Sequence, residues 1–240
     1  MVPTYNERST LQGLVARLRA AVPDADILVV DDRSPDGTGE LADALALHDP
    51  AVQVLHRPGK EGLGRAYIAA LTWVRREGYS LAVQIDADGS HQPEALPGLL
   101  AAAERADVVI GSRWVPGGAV RNWPWHRKAL SLGGNVFVRV ALGLPIRDAT
   151  AGFRVYRMTA LDRIGLGDVA SQGYCFQVDL TLRAFDAGLR MVEVPIEFVE
   201  REHGTSKMGT SIVLEALCRV TAWGVARRLR QAVSTGKGPA

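Results

Sequence analysis

Apolar positions first recur at helical spacing. Leu11, Leu14, Val15 and Leu18 stand at i, i+3, i+4 and i+7 and predict a helix with one buried face. Residues 27–30 then form a short unbroken apolar run, the pattern of a strand buried on both faces. Residues 52–55 and 81–85 read as strands of the same kind, and 108–110 is a shorter case. Helical patterns around 41–47, 65–76 and 94–104 separate them. This alternation predicts an α/β fold, a mainly parallel central sheet flanked by helices. Ligands of such sheets bind beyond the carboxyl ends of the strands. Asp31 and Asp32 follow one strand there, and Asp86 and Asp88 follow another.

The pattern changes after Trp114. Pro116, Gly117 and Gly118 mark a loop, and a helix is expected over 127–142. Another is expected over 177–187, and 191–199 reads as one strand, bent or at an edge because of Pro195. Residues 203–208 are polar and glycine-containing, the composition of a mobile loop. A last helix is expected over 211–230, with Val213, Leu217, Val220 and Gly224 on one line. That helix suits a membrane surface or ordinary core packing equally well. The expected division is a catalytic domain over 1–210, then an amphipathic helix and short flexible tail over 211–240. Residues 1–5 read as the tail of a first strand, which suggests a start upstream of Met1.

The 240 residues are 47% hydrophobic and 22% charged, as for a globular protein, and the net charge of +2 sets up no field for nucleic acid. Past Glu215 there is no acid, while Arg219, Arg227, Arg228, Arg230 and Lys237 follow. Cys175 and Cys218 lack metal spacing and read as thiols of a reducing compartment. Neither a secretory signal nor a run long enough to span a bilayer is seen. Gly59, Gly62 and Gly64 miss the spacing of the dinucleotide fingerprint, which argues against a dehydrogenase.

Three clusters carry candidate chemistry. Asp86-Ala87-Asp88 follows a buried strand, so two carboxylates can address one hard cation and a substrate phosphate. Solvated turn aspartates explain so short a motif equally well. In the run from Asp31 to Thr38, Asp32 is the candidate acceptor for a ribose or base, and Ser34, Asp36 and Thr38 are turn or cap residues. In Pro3-Thr4-Tyr5-Asn6-Glu7, Tyr5 suits base stacking and Glu7 suits amino-group recognition. Taken alone, that last segment reads better as a helix cap.

These elements, with Gly111-Ser112-Arg113, come in an order that closely resembles the family 2 glycosyltransferases, and within them the dolichol-phosphate (polyprenol-phosphate) mannose synthases. Asp148-x-Thr150-x-Gly152-Phe153-Arg154 and Arg201-x-x-Gly204-x-Ser206-Lys207 extend the resemblance over nearly the whole chain. It implies a GT-A-type nucleotide-sugar-binding fold. It also implies transfer of mannose from GDP-mannose to a polyprenyl phosphate. Pro3, Tyr5 and Glu7 would line the guanosine pocket beside Val30 and Asp32. Asp86, Ala87 and Asp88 would contact the donor, with Asp86 and Asp88 on Mg²⁺ or Mn²⁺. Ser90 occupies a further ligand position where some relatives carry Gln, a longer ligand. Arg201 and Lys207 would clamp the diphosphate, and Arg113, Arg127 and Ser131 would hold the acceptor phosphate.

The implied reaction is a single inverting displacement, with Asp88, Arg113 and Arg127 as its catalytic residues. A phosphate monoester has a second pKa of about 6, so at neutral pH it is already the nucleophile and requires no general base. His91 and His203 therefore read as structural, and Arg139 and Arg147 as solvent-facing. Trp123, Trp125, Arg127 and Lys128 combine aromatics and cations suited to a lipid headgroup region. The expected location is cytoplasmic and peripheral, on a membrane surface or a membrane-anchoring partner protein. Rival readings are UDP-glucose as donor with the same acceptor, transfer to a sugar hydroxyl, and a non-catalytic nucleotide-sugar sensor.

Overall fold

The computed structural model describes residues 1–166, 174–200 and 210–235, with side chains omitted at 174, 210–215 and 230–235. Strands β1 (Val2–Thr4), β2 (Ile27–Asp31) and β3 (Val52–His56) pair in parallel in that order. Beside them lie β4 (Leu81–Gln84), β7 (Arg154–Arg157), β5 (Val108–Ser112) and β8 (Met191–Pro195), in the order β4-β7-β5-β8. The Met1 amino nitrogen donates to the Val83 carbonyl at 2.8 Å, and the Ile85 N–H donates to the Met1 carbonyl at 3.3 Å. These bonds set β1 beside β4 and join both groups into one surface. Within it, β7 runs antiparallel to both neighbours, and the other strand pairings are parallel.

Side chains of β2 alternate between the two faces, as the strand period of two requires. Ile27 and Val29 join one core with helices α1 (Arg8–Ala21), α2 (Thr38–His48) and α4 (Leu96–Ala103). Leu28 and Val30 join the other with α3 (Leu63–Arg76), α5 (Trp125–Leu142), α6 (Met158–Ile164), α7 (Tyr174–Asp186) and α8 (Thr210–Thr235). Burial on both faces explains why β2 reads as a continuous apolar run.

The second half departs from the sequence expectation in several places, helix α6 and strand β6 (Ala119–Arg121) among them. Residues 191–199 form two strands, not one: Ile196 breaks the run after Pro195, and β9 (Glu197–Val199) pairs with β6. Strand β7 was not foreseen, because Arg154 and Arg157 at its ends mask its two apolar residues. Arg154 is wholly buried, yet every nitrogen of its guanidinium has an acceptor. It donates to the carbonyls of Ala149, Ala151 and Gln177 and to the hydroxyls of Thr181 and Tyr156. A fork of five donors tolerates burial only when so completely matched.

Helix α8 packs on α5 and α7. Val220 is buried in the core, and Arg227 pairs with Asp186 over the Phe185 ring. A Cβ at Gly224 would lie 2.6 Å from the Ala141 carbonyl of α5. Helix propensity alone gives Gly224→Ala a gain of about 1 kcal/mol. The close approach predicts instead a net loss of about 1–3 kcal/mol, measurable by urea unfolding.

Candidate active site

The carboxyl ends of β1, β2, β4 and β5 carry the residues singled out from the sequence. At the first two, the chain wires its loops together before any ligand is considered. Asp31 accepts from the Thr4 hydroxyl at 3.0 Å, the Ser34 hydroxyl at 2.6 Å and the Ser34 N–H at 3.0 Å. Ser34 accepts from Asn6 N–H, Thr38 from Glu7 N–H, and Asp36 from Arg8 N–H. The Ser34–Thr38 run thus anchors the entry to α1 as well as the turn into α2. Glu7 stands at the N-cap of α1, but its carboxylate makes no capping bond. The cap reading of this segment is therefore not what holds it.

Asp32 is buried and paired with the buried guanidinium of Arg57, which also meets Glu61 at 2.7 Å. Burial pushes the Asp32 carboxyl up, and Arg57 offsets only part of that rise. Tyr5 lies under the Lys60 ammonium, 3.9 Å from its ring centroid. Pro3 is the strand partner of Val30, whose side chain is fully buried in the core. Val30 therefore presents backbone, not side chain, at this edge.

The end of β4 presents Asp86, Ala87 and Asp88. Ala87 is buried, and Gly89 turns the chain at φ +75°. Asp86 accepts from the Tyr67 hydroxyl at 3.0 Å, and the His91 Nε2 stands 3.5 Å from its other oxygen. Burial first, and Asp86 second, push the Tyr67 hydroxyl well above its usual value, so it remains a donor. Asp88 accepts from the Ser90 hydroxyl at 2.5 Å and the Ser90 N–H at 3.1 Å. Ser90 is 1% exposed, so its hydroxyl is directed to Asp88. A Cβ on Gly152 would sit 2.9 Å from an Asp86 oxygen. The 148–152 loop therefore approaches the carboxylate as closely as glycine permits.

The same loop reaches the arginines. Asp148 is wholly buried and holds Arg113 through a fork: Nε at 2.8 Å, one terminal nitrogen at 2.7 Å, and the Arg113 N–H at 2.9 Å. Thr150 accepts from the Arg113 guanidinium at 2.9 Å and from Asn135 of α5 at 3.0 Å. Trp114, Trp123 and Phe198 surround that guanidinium. Arg127 lies 4.3 Å over the Trp123 ring and pairs with Glu200. Ser131 is one helical turn further along α5 and is half-buried. Arg113 is thus committed to Asp148, and Arg127 stands nearer solvent. Arg201, Lys207 and His203 lie outside the described residues.

The family described as Glycosyl transferase family 2 matches residues 1–165. An undecaprenyl-phosphate mannosyltransferase of Micrococcus luteus is 56% identical over 228 residues, covering 95% of this chain and 94% of its own. A polyprenol monophosphomannose synthase of Mycolicibacterium smegmatis is 55% identical over 234 residues, covering 97% of this chain and 88% of its own. The chain belongs to glycosyl transferase family 2. A glucosyl-3-phosphoglycerate synthase of Mycobacterium tuberculosis, solved with Mn²⁺ and UDP-glucose, shares the transferase's GT-A fold. Its TM-score is 0.66 at 19% identity, over 94% of this chain and 77% of that one.

No group of three or more His, Cys, Asp or Glu forms a metal cage among the transferase's described residues. Asp86 and Asp88 supply hard oxygens, and the Cβ-free approach at Gly152 keeps Asp86 in place. That donor set fits a hard divalent cation that takes its remaining ligands from phosphate and water.

Sequence reasoning missed several residues of this site. Arg57, Tyr67, Asp148 and Glu200 all contact foreseen residues, but from 19 to 73 positions away. Two had a local signal: Asp148 opens the 148–154 motif, and Arg57 follows β3, directly beside the end of β2.

Burial pushes the Asp148 carboxyl up, but the charge and hydrogen bonds of Arg113 outweigh it and hold it below the usual range. A carboxyl held low stabilises the fold above its unfolded pKa, about 4, and that contribution is lost as the pH falls through the folded value. Urea unfolding of the parent protein should therefore lose stability as the pH drops below about 4, and Asp148→Asn should lose less over that window. An identical acid dependence would show that Asp148 is not held low. At neutral pH, Arg113→Ala should cost about 3–5 kcal/mol, because it leaves a buried carboxylate unpaired.

Proposed function

We propose that the protein is a polyprenol monophosphomannose synthase. It transfers mannose from GDP-mannose to a polyprenyl (dolichyl-type) phosphate, giving polyprenyl-phosphate mannose and GDP. The observation that carries this reading is the juxtaposition around the 148–152 loop. Gly152 touches the donor-side carboxylate Asp86, and Thr150 touches Arg113 and α5, which bears Arg127 and Ser131. The names of the two mannose-transferring relatives support the sugar and the lipid phosphate.

In this reading Pro3, Tyr5, Glu7, the Val30 backbone and Asp32 receive the guanosine. Arg57 holds the Asp32 carboxylate in one orientation. Asp86 and Asp88 hold Mg²⁺ or Mn²⁺, which when bound would offset the charge of the departing diphosphate. Tyr67 fixes Asp86, and Ser90 fixes Asp88. Arg201 and Lys207 are assigned to the diphosphate. Arg127, with Ser131 beside it, receives the acceptor phosphate, whose charge makes it a nucleophile without a base. Arg113 stands in that wall with its charge largely offset by Asp148. The sugar is displaced in one step with inversion.

The catalytic unit is assigned to residues 1–210, and α8 to lipid-side packing. No described helix is long and apolar enough to cross a membrane. Trp125 is 81% exposed, and Leu132, Val136 and Val140 follow along α5. Val225 and Leu229 are exposed on α8. Lys128, Arg139, Arg219 and Arg228 are exposed among them. Apolar side chains interleaved with cations suit an anionic lipid surface, on the cytoplasmic side where nucleotide sugars reside.

Radiolabelled GDP-mannose and UDP-glucose, each supplied with polyprenyl phosphate and Mg²⁺ or Mn²⁺, test the assignment. Lipid-linked product from GDP-mannose is expected; product from UDP-glucose alone overturns the donor. Asp88→Asn, which leaves an acceptor for the buried Ser90 hydroxyl, should lower kcat by about 100-fold or more with little shift in the melting temperature. Arg127→Ala should raise KM for the lipid phosphate by about tenfold while KM for GDP-mannose stays within about twofold.

A further inference from the structure

The ion pair between Arg127 and Glu200 is poorly made for its own sake. An arginine and a carboxylate normally meet through two parallel hydrogen bonds. Here one terminal nitrogen of Arg127 donates to Oε1 of Glu200. The Arg127 Nε and the Glu200 Oε2 are both sealed from solvent and have no hydrogen-bond partner among the described residues. Two orphaned atoms in one pair are unusual, because buried polar groups are nearly always matched. The surroundings repeat the theme. Trp123, whose ring lies under Arg127, has a buried indole N–H with no acceptor among the described residues, and so does Trp114 beside Arg113. The aromatic wall thus holds three buried donors that lack acceptors, next to a single-oxygen contact from a carboxylate.

We propose that Glu200 is a placeholder for the acceptor's phosphate. Its carboxylate occupies Arg127 while the site is empty and is displaced when a phosphate monoester docks. The inference rests on the reading that the acceptor phosphate binds at Arg127. A phosphate dianion brings more charge and more oxygen atoms than a carboxylate. It can engage both the Nε and a terminal nitrogen of Arg127, and offer an oxygen to an indole N–H. Glu200 is tethered one residue beyond β9, with its N–H on the Arg121 carbonyl at 3.1 Å, so it competes at high local concentration. Every anion seeking Arg127 then binds with an affinity reduced by the fraction of time that Glu200 leaves it open. A weakly held anion is excluded, and a lipid phosphate, anchored also through its chain, is admitted. Glu200 thereby sets a threshold that lowers the affinity of all anions at Arg127 by one common factor.

Glu200→Gln keeps the shape and removes the charge; Glu200→Ser removes the side chain's reach. Steady-state kinetics with polyprenyl phosphate, and inhibition and isothermal titration with inorganic phosphate, read the effect. Both variants should lower the acceptor KM and the phosphate inhibition constant together, by about three- to tenfold, with the GDP-mannose KM unchanged. A raised or unchanged acceptor KM in both variants overturns the proposal, because Glu200 would then be positioning Arg127 or be inert. An equal fall in the GDP-mannose KM also overturns it, since that signals loss of a general repulsive field. Arg127→Ala separates this from the parent reading. If it leaves the acceptor KM and phosphate inhibition untouched, the acceptor-site assignment itself fails. If it weakens both while the Glu200 variants do not strengthen them, only the placeholder fails.

Discussion

A carboxylate with no solvent exposure sits at the centre of this molecule, and the site is arranged around the need to neutralise it. Asp148 meets Arg113 through a two-nitrogen fork and a backbone N–H, and that geometry fixes the loop that follows. Removing water from both ions strengthens their attraction but makes any misplacement costly, so the loop has little freedom. Within five residues it contacts Arg113, α5 through Thr150 and Asn135, and Asp86 through Gly152. Glu193 of β8 closes the other side, accepting from the Arg147 and Asp148 N–H groups at 2.8 and 2.9 Å. The donor-side carboxylates and the acceptor-side arginines are thereby referred to one short piece of backbone.

In the proposed reaction, that shared reference lets charge replace proton transfer. Two anionic substrates would approach each other, and their repulsion falls only if cationic groups stand at fixed places. The chain supplies some of that fixity through groups that touch no substrate. Tyr67 is wholly buried and donates its hydroxyl to Asp86. Arg154, satisfied mostly by carbonyls, leaves its positive charge uncancelled beneath the same loop. The aromatic box of Trp114, Trp123 and Phe198 keeps Arg113 away from bulk water.

The sheet's first half was legible because its pattern is local. Strands buried on both faces read as apolar runs, and the acids at their ends stood where α/β sheets bind ligands. The resemblance carried the site further, through motifs that span a few residues each. What stayed hidden depends on contacts between distant segments. Arg57 stands in a polar stretch, and only its place after β3 hints that it pairs with Asp32. Strand β7 hides behind two arginines, one of which is fully buried. His91 reads as structural and does lie buried between Phe153 and Phe198, but its reach toward Asp86 was not foreseen. Pro195 announced a bend correctly, but not that the chain changes strand partner there.

The account stands on Asp86 and Asp88 meeting a diphosphate-bound cation at the end of β4, in a cleft set by the 148–152 loop. Anomalous scattering from crystals grown with Mn²⁺ and GDP tests this directly. The account predicts one strong anomalous peak against the Asp86 and Asp88 carboxylates, with diphosphate density touching it. A peak elsewhere, or diphosphate density on the far side of the sheet, would contradict it.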